Sequence, residues 1–177
     1  MLFHEHQKES VPDLFEQYQV LCGVEEEFLI INKNGTLADV ADDIMVKSAE
    51  IFEKDSSLLN SLQVKIRGLD AEPSPSQIEY VTLPLPPSSI EEAVIQGRKL
   101  VIDAAKQIGV KILAQSLHPT QSDPHPISGI HLNVSVQREG AIMTPEHLKA
   151  VYNYLWNYLP EMIATSANSP IYKGNLN

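Results

Sequence analysis

The stretch Gln19-Val20-Leu21-Cys22-Gly23-Val24-Glu25-Glu26-Glu27-Phe28-Leu29-Ile30-Ile31 is apolar except for Gln19 and three consecutive glutamates. Its β-prone residues, the helix-weakening Gly23 and the Asn34-Gly35 turn signal that follows predict a strand. Side chains alternate along a strand, so Glu25 and Glu27 share one face and Glu26 points out from the other as a supporting residue. From Asp39 to Phe52, Val40, Ile44, Ala49 and Ile51 are among the apolar positions at helical spacing. Leu62-Gln63-Val64-Lys65-Ile66 alternates as a strand. Asp70 to Ser76, interrupted by Pro73 and Pro75, reads as a loop leading into a strand over Gln77–Leu83. After Pro84-Leu85-Pro86-Pro87, Ser88 and Glu91 form a capping-box signature for a helix that runs to Gln107 or Ile108 and stops at Gly109. Lys111–Gln115 reads as a short strand and Leu117–Pro126 as a loop. In Gly129–Val136, His131, Asn133 and Ser135 face one side and Ile130, Leu132, Val134 and Val136 the other. Thr144-Pro145-Glu146 caps a final helix to about Ile163, with Tyr152, Leu155 and Trp156 supplying packing. Strands and helices mix without regular βαβ alternation, which predicts an α+β fold with a largely antiparallel sheet.

At 177 residues and 43% apolar composition, the chain is long enough to bury a core and is most simply one domain, 1–177, with residues 1–15 polar and flexible. The formal charge of −10 and the lack of a basic stripe argue against nucleic acid as a partner. Phosphates stay in play, because carboxylates loaded with divalent cations present a local positive field. No apolar run is long enough to span a bilayer, and the first residues do not follow the signal-peptide pattern, so no membrane association is expected. The single cysteine, Cys22, excludes an internal disulfide framework and points to a cytoplasmic setting. On an apolar strand it reads as a small buried hydrophobe rather than a nucleophile.

Charge placement carries the chemistry. Carboxylates about 7 Å apart on one sheet face repel each other unless a cation neutralises them, and hard divalent cations take carboxylate oxygens. Three strands present polar groups on one face: Glu25 and Glu27; Gln77 and Glu79; His131, Asn133 and Ser135. Together they would form a carboxylate-rich bowl containing one imidazole, able to hold Mg²⁺ or Mn²⁺. Glu72, seven residues before Glu79, could add a carboxylate. Spacing alone leaves the plainer alternatives open: a solvated strand face for Glu79, a hydrogen-bonded structural role for His131, and exposed loop positions for His118 and His125.

Gly23-Val24-Glu25-Glu26-Glu27-Phe28, Gln77-Ile78-Glu79, Ile127-Ser128-Gly129-Ile130-His131-Leu132-Asn133-Val134-Ser135 and Ala167-Asn168-Ser169-Pro170 occur in the order seen in glutamate–cysteine ligases. Over about residues 20–174 the chain resembles the type 2 glutamate–cysteine ligase and carboxylate–amine ligase family, within the glutamine synthetase-like superfamily. The resemblance implies an antiparallel sheet with helices packed on one face and an ATP-dependent ligase using two or three Mg²⁺ (or Mn²⁺) ions. That enzyme would form an amide, such as a γ-glutamyl bond, through an acyl phosphate, as in glutathione biosynthesis. It implies metal ligation by Glu25, Glu27, Glu72, Glu79 and His131, and catalytic roles for Glu27, Glu79 and His131. Nucleotide binding would fall to His131, Asn133 and Ser135. The Asn133/Ser135 version looks more like the glutamate–cysteine ligases proper. The implied partners are ATP, glutamate or a similar carboxylate, and an amine such as cysteine. Family members continue well beyond the Ala-Asn-Ser-Pro element, so the likeness is to an amino-terminal half. An open sheet edge is expected there, inviting a homodimer or a complementary carboxy-terminal half. The alternative function is a catalytically incomplete metal- or nucleotide-binding fragment, or a regulatory partner of a ligase.

Overall fold

Thirteen residues of unbroken extended chain, β1 (Gln19–Ile31), occupy the middle of the sheet. The computed structural model describes residues 19–54, 65–120, 126–138, 141–142, 144–166, 171–172 and 175–176. The expectations for residues 1–15, for Leu62–Val64, for His125 and for Ala167-Asn168-Ser169-Pro170 lie outside the described residues.

Along one side, β1 pairs with β3 (Gln77–Thr82), which pairs in turn with β2 (Ile66–Ala71). Along the other it pairs first with β5 (Ile130–Arg138) and then, at its carboxy-terminal end, with the short β4 (Lys111–Leu113). β5 continues into β6 (Ala141–Ile142), and β7 (Ile171–Tyr172) with β8 (Asn175–Leu176) forms a separate two-stranded ribbon. Every one of these pairings is antiparallel, as expected for an α+β chain.

Helices α1 (Ala41–Lys54) and α2 (Pro87–Ile108) pack on a single face of the sheet. Phe28, Ile30, Ile78 and Tyr80 project from β1 and β3 into a cluster with Ala41 and Ile44 of α1 and Val101, Ala104 and Ala105 of α2. Each large side chain so buried contributes roughly 1.5–3 kcal/mol, which makes this cluster the main hold on both helices. The approach of α2 to β3 needs a residue without a side chain. A Cβ placed on Gly97 would lie 2.6 Å from Cδ2 of the Tyr80 ring. At its carboxy terminus α2 stops at Gly109, whose φ of 83° is the left-handed conformation that ends helices. Gly35 (φ 86°) closes the turn after β1 in the same way.

Several expectations shift. The strand before β3 lies at Ile66–Ala71, so Asp70 and Ala71 belong to it rather than to the loop; pairing with β3 carries it up to the prolines. The Ser88/Glu91 capping box does not form. The helix starts two residues earlier, at Pro87, with Pro86 rather than Ser88 as its N-cap and no side-chain cap, because proline supplies the helical φ without needing an amide partner. Thr144 does cap α3 (Pro145–Asn157), accepting the His147 N–H at 3.4 Å. The final helix breaks at Tyr158, and α4 (Leu159–Ser166) follows. Tyr152, Leu155 and Trp156 are exposed rather than packed into the sheet; Tyr152 and Trp156 stack on each other with centroids 6.1 Å apart. Ser48, not Ala49, faces the core from α1, its hydroxyl donating to the Met45 carbonyl at 2.8 Å. Lys111–Gln115 shortens to Lys111–Leu113, and Cys22 is only half-buried. Among the described residues no helix is long and apolar enough to cross a membrane.

Replacing Gly97 with alanine forces the Tyr80 ring or α2 to move. Gly97→Ala is expected to cost about 1–3 kcal/mol, the usual range for overpacking a filled core, despite the gain in helix propensity. Urea unfolding followed by circular dichroism measures it; an unchanged midpoint would show that the helix has room to shift.

Candidate functional site

The two-residue period of β1 separates its glutamates as the sequence predicts, but Glu26 does not point to solvent. It is 2% exposed and faces α2. Arg98 donates from Nε and Nη2 to its two carboxylate oxygens, each at 2.8 Å, and the Tyr80 hydroxyl donates to Oε2 at 2.6 Å. Burial first, and then donation to Glu26, hold the Tyr80 phenol far above its ordinary pKa. It therefore stays a hydrogen-bond donor. The Arg98 guanidinium is likewise stabilised in its charged form by Glu26.

On the opposite face, register brings the predicted residues together. Glu27 lies across from Glu79, and Glu25 lies across from Val81 on one side and His131 on the other. Glu72 enters from the turn between β2 and β3. Ligating atoms of Glu25, Glu79 and His131 lie within 4.8 Å of one another, as do those of Glu27, Glu72 and Glu79. Glu79 is common to both groups and 92% buried by its 8% exposure, so it is not a solvated strand position. His131 Nδ1 lies 3.2 Å from Glu25 Oε2, and its Nε2 lies 3.9 Å from Glu27 Oε1. Glu27 is itself oriented: its Oε2 accepts the Gly129 N–H at 2.9 Å.

Electrostatics show what the bowl lacks. Burial, followed by the charges of Glu72, Glu25, Glu27 and Asp70, pushes the Glu79 carboxyl up to about 7. Glu72 is raised as well, by burial and then by Glu27, with His131 partly opposing. Carboxylates this close, with one imidazole between them, form a set of hard oxygen donors that a divalent cation would neutralise.

Beside Glu25 a cavity of about 300 Å³ opens, lined by Gly23, Thr82, Leu83, Asn133, Ser135 and Arg67 among others. Asn133 and Ser135 thus border the bowl rather than join the carboxylate groups. Gln77 is structural: it is buried, and its Nε2 donates to the Ile127 carbonyl at 2.7 Å and to Ser128 Oγ at 3.0 Å. His118 is neither at the rim nor exposed. It is buried against the turn, with Nε2 2.6 Å from the Gly35 carbonyl oxygen. Sequence reasoning did not single out Asp70 or Arg67, which belong to the strand that it placed too early, nor Arg98, whose partner is 72 residues away.

No protein-family model matches the chain. It is 25% identical to a protein of Mycolicibacterium smegmatis named "Putative glutamate–cysteine ligase 2-3", over 86% of this chain and 43% of that one. It is 26% identical to "Putative glutamate–cysteine ligase 2-2" of Mycolicibacterium vanbaalenii, over 85% of this chain and 42% of that one. The chain thus spans less than half the length of the curated relatives it matches. Among solved structures it is similar to the glutamine synthetase of Plasmodium falciparum, with a TM-score of 0.53 and 14% identity over 73% of this chain and 32% of that one. The likeness to glutamate–cysteine ligases read from the motifs is borne out, and the fold is glutamine synthetase-like.

The raised Glu79 carboxyl gives a pH dependence. A carboxyl whose folded pKa lies above its unfolded value binds more protons in the folded state, so stability falls as pH rises between the two values. In EDTA the chain is expected to lose stability from about pH 4.5 to about pH 7. Glu79→Gln should flatten that slope and raise the melting temperature at pH 8. Thermal melts across the range check this; an identical slope in the variant would place the strain elsewhere.

Proposed function

We propose that the chain forms the carboxylate-rich part of the active centre of an ATP-dependent carboxylate–amine ligase of the glutamate–cysteine ligase type. The observation that carries this reading is the meeting of Glu25, Glu27, Glu72, Glu79 and His131 in two ligand groups that share Glu79. The residues present fit Mg²⁺ or Mn²⁺: the donors are carboxylate oxygens with one imidazole nitrogen, and burial, then the repulsion of the neighbouring carboxylates, leaves Glu79 hard to ionise. When bound, such ions neutralise the charge of phosphate oxygens and polarise the phosphoryl group.

The chain's own groups would orient that chemistry. Gly129 holds Glu27 through one carboxylate oxygen, and Glu25 lies within hydrogen-bond reach of His131 Nδ1. Asn133 and Ser135 face the adjoining cavity, where they can donate to the nucleotide. The reaction this arrangement suits is transfer of the ATP γ-phosphoryl group to a carboxylate such as that of glutamate, leaving ADP. An amine such as cysteine then attacks the acyl phosphate, giving an amide and phosphate. No protein nucleophile is needed; by the alternation of β1, Cys22 lies on the side of Glu26.

The same donor groups and cavity would also serve a second reading: the chain binds metal and nucleotide without turnover, or regulates a ligase. The two separate in one experiment. The ligase reading expects Mg²⁺- and glutamate-dependent ADP formation, abolished by Glu27→Ala, from the chain with a complementary carboxy-terminal half of a relative supplied. Calorimetric binding of Mg²⁺–ATP without any turnover in that mixture would remove the ligase and leave the binding protein.

A further inference from the structure

The cavity beside Glu25 contains a cation that neither the motifs nor the relatives assign. Strand β2 carries a register shift: Ile66 lies opposite Thr82 and Gly68 opposite Val81, so Arg67 is the extra residue of a bulge. A bulge re-aims the side chain it carries. Here Ile66 turns inward and is buried, while Arg67 lines the cavity with Glu25, Asn133 and Ser135. It is the only lysine or arginine among the described residues that line it.

Three features make Arg67 available to a ligand. Its partner is Asp70, with Nη2 2.5 Å from Oδ2, and both side chains are exposed, at 60% and 49%. Such a surface pair is worth about 0–1 kcal/mol, so exchanging Asp70 for another oxyanion costs little. The cavity floor is open, because a Cβ on Gly23 would meet nothing closer than 3.9 Å. Finally, the neighbouring carboxylates repel anions, which a substrate bearing a carboxylate or phosphate must overcome at this wall. A planar guanidinium answers that need by binding two oxygens at once.

We infer that Arg67 is an anion-binding, specificity-setting residue. Its guanidinium leaves Asp70 to take the oxyanion, carboxylate or phosphate, of a substrate seated beside Glu25. Naming that anion as the amino acid's carboxylate or the nucleotide's phosphate rests on the ligase reading; the anion site itself does not.

The test is calorimetric titration of the full chain in Mg²⁺ with ATP and, separately, with L-glutamate, for wild type, Arg67→Gln, Arg67→Lys and Asp70→Asn. Mn²⁺ binding is followed by electron paramagnetic resonance. Arg67→Gln is expected to weaken one ligand about tenfold or more, as for a lost hydrogen bond to a charged group. Arg67→Lys should recover part of the loss, Asp70→Asn should bind as well as wild type or tighter, and Mn²⁺ affinity should stay within about twofold. The ligand affected identifies the source of the oxyanion. Equal affinities in wild type and Arg67→Gln overturn the inference, as does binding of neither ligand by wild type or a parallel loss of Mn²⁺ in Arg67→Gln. If wild type binds no Mn²⁺, the metal-centre reading falls instead, and Arg67-dependent anion binding still upholds the anion site.

Discussion

A strand cannot send neighbouring side chains to the same face, and in β1 that rule divides three adjacent charges between two very different surroundings. Glu26 goes into the interior, where an unpaired carboxylate would cost several kcal/mol. The protein answers with a two-pronged Arg98 contact and the Tyr80 hydroxyl, filling both oxygens. These partners come from α2 and from β3, so one buried charge ties the central strand to a helix and to a neighbouring strand. The contact is geometric as much as electrostatic. Tyr80 reaches Glu26 only because its ring lies against Gly97, one residue before the arginine that completes the contact.

The other face receives Glu25 and Glu27 with no such provision. Glu79 faces Glu27 across the ladder, and Glu72 and Asp70 add to the same field. His131 contacts Glu25 and Glu27 on this face, and Arg67 lines the adjoining cavity. Identical side chains are therefore paired with buried donors on one face and crowded against other carboxylates on the other. The proposed binding site rests on that asymmetry. A fold needing carboxylates only for solubility would not bury Glu79 or hold Glu27 in place with a backbone amide.

How much of this was legible follows from the range over which each feature is determined. Alternation within one strand correctly sorted Glu25 and Glu27 from Glu26, and put His131, Asn133 and Ser135 on a shared face, because those are nearest-neighbour rules. The Gly35 turn and the Gly109 helix stop were legible for the same reason. What Glu26 faces was not, since its partners are 54 and 72 residues distant. Arg67 escaped because the sequence reading ended its strand at Ile66, and a bulge that alternation does not foresee then re-aims the side chain. The early start of α2 shows a local conflict: Ser88/Glu91 and Pro87 compete to define the same terminus, and proline, fixing φ in advance, wins.

Support for the two sides of the bowl is unequal. Glu27 and Glu79 sit on strands whose reverse side is covered by α1 and α2, so the core that holds Phe28, Ile78 and Tyr80 also fixes the carboxylates between them. His131 and Asn133 sit on β5, where the alternate residues Ile130, Leu132 and Val134 are 55%, 64% and 52% exposed. Among the described residues, backbone pairing with β1 and β6 is what holds that strand, without the apolar cover that α1 and α2 give to β1 and β3. Regions with few buried apolar contacts open at lower free energy than the core. The carboxylates thus form the rigid wall of the site, whereas the imidazole and the amide beside the cavity stand on its less supported wall. A ligand touching both would add contacts where the fold itself supplies fewest.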